Sequence, residues 1–534
     1  MLMKRLFLLT CLLLAVGAAA QEYDYLLRNG RVVDGSGNPY VYADVGVIGD
    51  KIVFLGHAPA NARAKRVLDV AGLIVAPGFI DMLGQSEYNL LIDNRAVSKL
   101  TQGITTEITG EGESVAPQNA RTIAQMRDLL EHYRLTIDWR DLNGYFERLE
   151  RQGSGINLGT YVGAAQVREM VMGKADRAPT PDELRHMQGL VEESMLQGAM
   201  GLSTALIYAP GNYARTDELI ALATVAGRYG GVYASHIRSE GDTESQALEE
   251  AFRIGAEARL PVEIFHLKVS GRQYWGGMRA TVQTVNRRRN HGQDVTADQY
   301  PYLAGATSLG AAIPPKYHEG GADAFIARLK DPAIRAQIRA QVTGKFTGAQ
   351  PFENWWRLAG GAPGILVNSI LNPALKQYEG KTIAQIAQMR HIDALDALLD
   401  LVIADRDNTG AIYFTMSEAD VITALQQPWV SVGTDYGEVA PDGPLSDSNA
   451  HPRAYGSFPR ILSRYTQLPI SARASAPARP LTLEFAIRKF TSLAAQRVHL
   501  QQRGLLRVGY FADITVFDPR TIRDVATYTD PNRP

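Results

Sequence analysis

The sequence predicts an α/β chain: a (β/α)8 TIM-like barrel joined to a small β-sandwich formed by both termini, with a helical insertion. Three observations predict it. Short apolar, strand-like runs alternate with amphipathic helical runs over several hundred residues, the pattern of a parallel sheet with crossover helices. The two ends of the chain share another style, short Val-, Ile- and Leu-rich runs set apart by turn dipeptides. Between them, residues 314–421 lack the alternation.

Taken in order, residues 1–20 read as a signal peptide. MLMKR is a short basic segment, LFLLTCLLLAVG is too short to span a bilayer comfortably, and Ala18-Ala19-Ala20 supplies a small-residue cleavage pattern. A secreted or periplasmic protein with no stable membrane anchor is expected. Cys11 is the only cysteine, and a lipoprotein site there would fall too early in the apolar run. The mature chain therefore offers neither a disulfide nor a thiolate ligand.

Residues 21–76 contain YDYLLRNGRVVDGSGN, ADVGVIGDKIVFLG and the start of KRVLDVAGLIVAPGFID, which runs on to Asp81, with turns at Asn29-Gly30, Asp34-Gly35 and Gly49-Asp50. RGLLRVGYFADITVFDP, within 480–534, returns to the same style and completes the expected sandwich. The barrel is expected over 77–313 and 422–479. Its candidate strands are ITTEITGEG, INLGTYVGA, AMGLSTALIY, GGVYASHI, PVEIFHLKVSG, DVTADQYPY and WVSVGTDYG; PDELRHMQGLVEESMLQG and ESQALEEAFRIGAEA are helices between them. Residues 314–421, Ala- and Gln-rich in places and containing PFENWWRLAGG, read as an inserted helical subdomain or lid, with Trp355-Trp356 as mouth or core.

A length of 534 residues exceeds one ordinary core, and 45% apolar with 21% charged residues fits a soluble globular chain. A net charge of −1 gives no reason to expect nucleic-acid binding or an anionic membrane surface. The basic run Arg287-Arg288-Arg289 is short enough to be one solvated helix face.

In such a barrel the chemistry sits at the carboxyl ends of the strands. YASHIRSEGD places His236 at one end, EIFHLKVSG places His266 and Lys268 at the next, and SVGTDYG places Asp435 at a later one. Taken singly, each has a structural reading, as a satisfied polar residue or, for Asp435, a helix cap. Jointly they match metal-assisted hydrolysis, in which imidazoles hold a divalent ion and a carboxylate takes a proton from metal-activated water.

The chain resembles the amidohydrolase superfamily, and within it the N-acyl-D-amino-acid deacylases (D-aminoacylases). The resemblance is carried by PGFID, QGITTE, GLSTALIYAPGNYARTDEL, ASHIRSEGD, FHLKVSG, DQYPYLAGATSL, HPRAYGSFPRIL and TSLAAQRVHLQQRGLLRVGYFADITVFDP, in that order through nearly the whole mature chain. It implies a zinc centre of two subsites. One uses a His-x-His after the first strand; the other uses His236 and His266, completed by a second-strand residue that is commonly Cys. This sequence departs from both patterns. Leu83 and Gln85 replace His-x-His, and the second-strand segment TGEGES has no Cys. Glu111, followed by Gly112, is the expected carboxylate substitute, with Glu113 as the alternative. One zinc per chain is expected, on Glu111, His236 and His266, with the first subsite vacated. The resemblance also makes Lys268, Tyr302 (or Tyr300) and Arg453 candidates for binding a free substrate carboxylate, with His451 an alternative catalytic or orienting residue.

The expected function is hydrolysis of the amide bond of N-acyl-D-amino acids or related small amides. Two other readings stand beside it: hydrolysis of a cyclic amide, a lactone or a D-amino-acid-containing dipeptide, and a metal-free binding protein.

Overall fold

The computed structural model describes residues 22–344, 352–447, 449–468 and 479–534; the expected signal peptide lies outside them. Among the described residues no helix is long and apolar enough to cross a membrane.

The two termini build one six-stranded sheet, where two stacked layers are expected. Tyr23–Val32 lies at its centre, antiparallel to Val41–Ile48 on one side and parallel to Ala64–Asp69 and Ile74–Pro77 on the other. The C-terminal strand Ile514–Phe517 pairs antiparallel with Ile74–Pro77. Lys51–Gly56 extends the opposite side, and Lys51 bridges back to Phe511. The sheet thus curls toward itself, with Leu27, Val32, Val45, Ile52 and Val75 packed in one cluster. A second layer is unnecessary, because curling already buries one face.

The expected strands of the large domain form in chain order and pair in parallel. Phe79–Asp81 pairs with Ile104–Thr109, which pairs with Asn157–Thr160. Val162–Gly163, Gly201–Ala205, Val232–His236, Val262–Ile264 and Val295–Ala297 continue the series. Residues 430–436 bridge Ala297 through Val430 and Gly84 through Tyr436, so the pairing returns to its first member. The helices between follow their sequence signals. Pro181–Leu196 starts on a Thr180–Glu183 capping box with proline in its first turn. Glu244–Ala258 buries Leu248, Ala251, Phe252 and Gly255, one face at helical spacing. Phe79 ties this domain to the terminal sheet, packing on Phe458, Phe490 and Phe517 at ring separations of 5.6, 5.0 and 6.4 Å.

The insertion is not purely helical. Gly305–Ser308, Gly410–Tyr413 and Ile365–Ser369 form an antiparallel sheet that begins before residue 314. Helices such as Ala394–Ala404 pack on it around their own core. Trp355 belongs to that core, against Tyr413 at 5.1 Å, and also lines the central cavity. Both readings of Trp355 therefore hold.

Candidate metal centre

Strand geometry brings Glu111, His236 and His266 together. His236 is the last residue of Val232–His236, and His266 follows Val262–Ile264 on the neighbouring strand, so both imidazoles emerge from one rim. Glu111 follows Ile104–Thr109 after Gly110. Gly112 has φ +70°, and a Cβ there would come within 2.5 Å of the Ala205 Cβ, so the chain turns off the rim where only glycine fits. His266 has φ +35°, a strained conformation for a side chain of its kind, fixed by a 2.9 Å bond from its amide to Asp298 Oδ1.

Glu111 Oε1 lies 2.8 Å from His236 Nδ1 and 3.1 Å from His266 Nε2, and the two ring nitrogens are 2.9 Å apart. The three side chains can each turn one ligand atom into a group whose members all lie within 4.8 Å of one another. Three donor atoms converging on one point, two imidazole nitrogens and a carboxylate oxygen, fit a divalent cation of zinc type with a position left for water. Burial and Lys268 would depress His266, but Asp435, Glu240 and Glu111 raise it to about 10. Glu111 is held well below its usual range, because hydrogen bonds from the two imidazoles outweigh its burial.

These residues open on a cavity of about 390 Å³, within the size range of small-molecule sites. Asp435 and Gln85 line it as well. Asp435 has φ +52°, and its amide donates to Leu83 O at 2.7 Å. The Gln85 amide nitrogen donates to Glu111 Oε2 at 3.0 Å and to Asp435 Oδ1 at 3.1 Å. Where a ligating histidine is absent, a neutral amide therefore joins two carboxylates. Leu83 is buried in an apolar cluster and offers no ligand.

A model described as the amidohydrolase family matches residues 374–534. D-aminoacylase of Alcaligenes xylosoxydans xylosoxydans is 34% identical over 521 residues, 96% of this chain and 91% of that protein. The chain belongs to the D-aminoacylase family of amidohydrolases. The crystal structure of N-acyl-D-glutamate deacylase from Bordetella bronchiseptica, complexed with zinc and a phosphonate mimic of the tetrahedral intermediate, superposes with a TM-score of 0.78 at 31% identity, covering 96% of this chain and 94% of that one. A D-aminoacylase structure that addresses a binuclear metal centre, with one-metal activation and second-metal attenuation, gives 0.76 at 33% identity, covering 96% and 93%.

The other expected residues of this D-aminoacylase-family chain take distinct places. Lys268 and Tyr300 line the cavity, whereas Tyr302 does not. Tyr302 is buried between His451 and the Arg460 guanidinium, which lies 4.7 Å from its ring centre. Of the two tyrosines left open by sequence, Tyr300 is the one placed to meet a ligand. Arg453 is 1% exposed and sits behind Tyr300, 4.6 Å from its ring centre. Its Nη1 lies 2.7 Å from Asp435 Oδ2, a charge contact without hydrogen-bond alignment. Burial raises the Asp435 carboxyl, and Arg453 opposes that rise. His451 accepts from the Arg453 amide on Nδ1 and contacts Ala304 O through Nε2, both at 3.0 Å, so both its nitrogens are engaged away from the cavity. Glu113 is exposed and borders the cavity beside Glu111.

Sequence reasoning missed Glu240. Its Oε1 lies 2.5 Å from Lys268 Nζ, 3.2 Å from His266 Nδ1 and 3.7 Å from His236 Nε2, so one buried carboxylate faces the outer nitrogen of both imidazoles. His266 Nδ1 lies 2.8 Å from Lys268 Nζ as well as 3.2 Å from Glu240 Oε1; in the tautomer with its hydrogen on Nδ1, facing Glu240, Nε2 keeps its lone pair toward the cation, which is how outer carboxylates tune ligating histidines. The signal was present in SHIRSEGD, four residues after His236. Glu353, from the insertion, accepts from Ser239 Oγ at 2.8 Å and from the Glu240 amide at 3.2 Å. No local pattern announces that contact, because the two segments lie more than a hundred residues apart.

Proposed function

We propose that this chain hydrolyses the amide bond of N-acyl-D-amino acids or related small amides, using one zinc ion held by Glu111, His236 and His266. The observation that carries the reading is the convergence of those three ligand atoms beside Asp435 in a closed run of parallel strands, which we read as a (β/α)8 barrel. Zinc in that position supplies a Lewis acid and makes water more acidic near neutral pH.

The chain's own groups do the rest. Asp435 is the proton acceptor for the attacking water and returns that proton to the leaving amine. Gln85 links Asp435 to Glu111, and Arg453 opposes the rise that burial imposes on the Asp435 carboxyl. Lys268 and Tyr300 stand on the cavity wall where a substrate carboxylate would bind, with Arg453 contributing charge from behind the ring. We also propose export through residues 1–20 and action outside the cytoplasm.

The exchange of His-x-His for Leu83 and Gln85 favours a second reading, hydrolysis of a cyclic amide, a lactone or a D-amino-acid-containing dipeptide on the same residues. A panel of N-acyl-D-amino acids, their L enantiomers, lactones, cyclic amides and dipeptides, assayed with added zinc, separates the two. Turnover confined to the D series of linear amides supports the first. Turnover of cyclic substrates alone supports the second, and a folded protein that binds no zinc and turns over none of them leaves only a binding role.

A further inference from the structure

The inserted subdomain approaches the metal centre through a four-residue helix, Trp355–Leu358. That helix lies against residues 239–242, the loop after His236 that carries Glu240. Leu358 packs on the loop so closely that a Cβ at Gly241 would come within 2.9 Å of Leu358 Cδ2. Arg357 pairs with Asp242 at the loop's end. Trp355, on the same helix, lines the central cavity.

Glu353, just ahead of the helix, holds the start of the loop. It is 5% exposed, and its two carboxyl oxygens meet the Ser239 hydroxyl at 2.8 Å and the Glu240 amide at 3.2 Å. The Glu240 carbonyl accepts from the Ser270 amide at 2.7 Å. The backbone of Glu240 is therefore tied on both sides, to the insertion by its N–H and to the loop after His266 by its C=O. Its side chain is the one that faces the outer nitrogens of both imidazoles. Burial lifts Glu353 to about 8, and the charge of Glu240 adds to the rise. A buried acid beside a second acid is costly, and Glu353 does not line the cavity where such a group could meet substrate. What its bonds reach is the loop that carries Glu240.

We propose that Glu353 is a positioning residue for the metal: by holding the Glu240 backbone it keeps the Glu240 carboxylate against His236 and His266, so that the insertion takes part in setting zinc affinity. The inference rests on the proposed zinc site and adds to it a part for the insertion, which supplies no ligand. Glu353 acts through Glu240. Its contribution therefore disappears when the Glu240 carboxylate is gone.

Competition between the metal-free full chain and a chromophoric zinc chelator measures the dissociation constant directly, without any substrate. The proteins compared are the natural chain, Glu353→Ala, Glu240→Gln and the double variant. Glu353→Ala should weaken zinc binding by about 10-fold, the lower end of what an outer partner of a ligating histidine is worth. The double variant should bind no more weakly than Glu240→Gln alone, because the second change removes the support of a carboxylate already lost. Glu353→Gln can accept from the Glu240 amide and donate to Ser239 Oγ, and should stay within about 3-fold of the natural chain. Glu353→Asp, one methylene shorter, serves if Glu353→Ala does not fold: it should weaken zinc in the natural chain and leave Glu240→Gln unchanged. Losses that multiply in the double variants, zinc binding untouched by shortening Glu353, or a Glu353→Gln as weak as the shortened variants would overturn the positioning role and leave the zinc site standing. A natural chain that binds no zinc would overturn the zinc site itself, and the positioning role with it.

Discussion

On one side of the central cavity, Glu111, His236 and His266 turn three ligand atoms toward a common point, and the nearest fixed cation, Lys268, is engaged with Glu240 behind them. On the other side, where the first strand meets 434–436, the acidic groups have cations of the protein's own. Lys99, fully buried, lies 2.8 Å from Asp81 and 3.3 Å from Glu107, and also donates to Thr434 Oγ1 at 2.9 Å and Tyr436 O at 2.7 Å. Arg453 lies 2.7 Å from Asp435. The contrast is chemical: on one side the ligand atoms of Glu111, His236 and His266 face one another with no lysine or arginine among them, while the other has its charge settled by an ammonium and a guanidinium, with Leu83 and Gln85 where ligands would be needed. This contrast is the ground on which we propose one divalent ion and not two.

The largest effect expected among single substitutions on the settled side is that of Asp435→Asn. It keeps the shape and the Gln85 contact but removes the proton acceptor, and kcat should fall by about 100- to 10,000-fold with zinc content unchanged. Lys99→Met tests whether the buried ammonium carries the charge balance of its side. It leaves Asp81 and Glu107 unpaired in the interior and should destabilise the fold by about 3–5 kcal/mol in denaturant unfolding. Glu240→Gln acts on the ligand side through the imidazoles, so zinc affinity or activity should drop by about 10- to 100-fold, with Glu111, His236 and His266 all present. Gln85→Ala separates the two sides where the Gln85 amide joins Glu111 to Asp435. A loss of about 10-fold in kcat/KM with one zinc retained is expected, since a hydrogen bond to charged groups is removed and no ligand is.

Much of this layout is written in local sequence, and the rest is not. Each run taken as a parallel strand forms one or bridges to one, because continuous apolar runs bounded by turn residues admit few alternatives. His236, His266 and Asp435 were legible from their place at strand ends, and Glu111 from its place in TGEGES beside a glycine that must bend. The termini were legible as strands but not as one curled sheet, since the layer arrangement depends on twist and pairing across nearly the whole chain. The sheet of the insertion was hidden for a similar reason: its strands are four or five residues long and pair across intervening helices. Tyr302 and Tyr300 are two residues apart, and only the backbone path decides that Tyr300 turns to the cavity. Lys99 lies in VSKLTQG, a stretch that reads as an ordinary amphipathic turn, and its role appears only when residues 434–436 close over it.

The central claim is that one cation, gripped by a glutamate and two imidazoles, is sufficient. The most direct measurement is a titration of metal-free protein with zinc, following hydrolysis and bound metal together, in the natural chain and in His236→Ala. Activity that reaches its plateau at about one equivalent, with neither binding nor activity in His236→Ala, is the predicted result. Activity that climbs until a second equivalent is bound, or that survives the loss of His236, would contradict it.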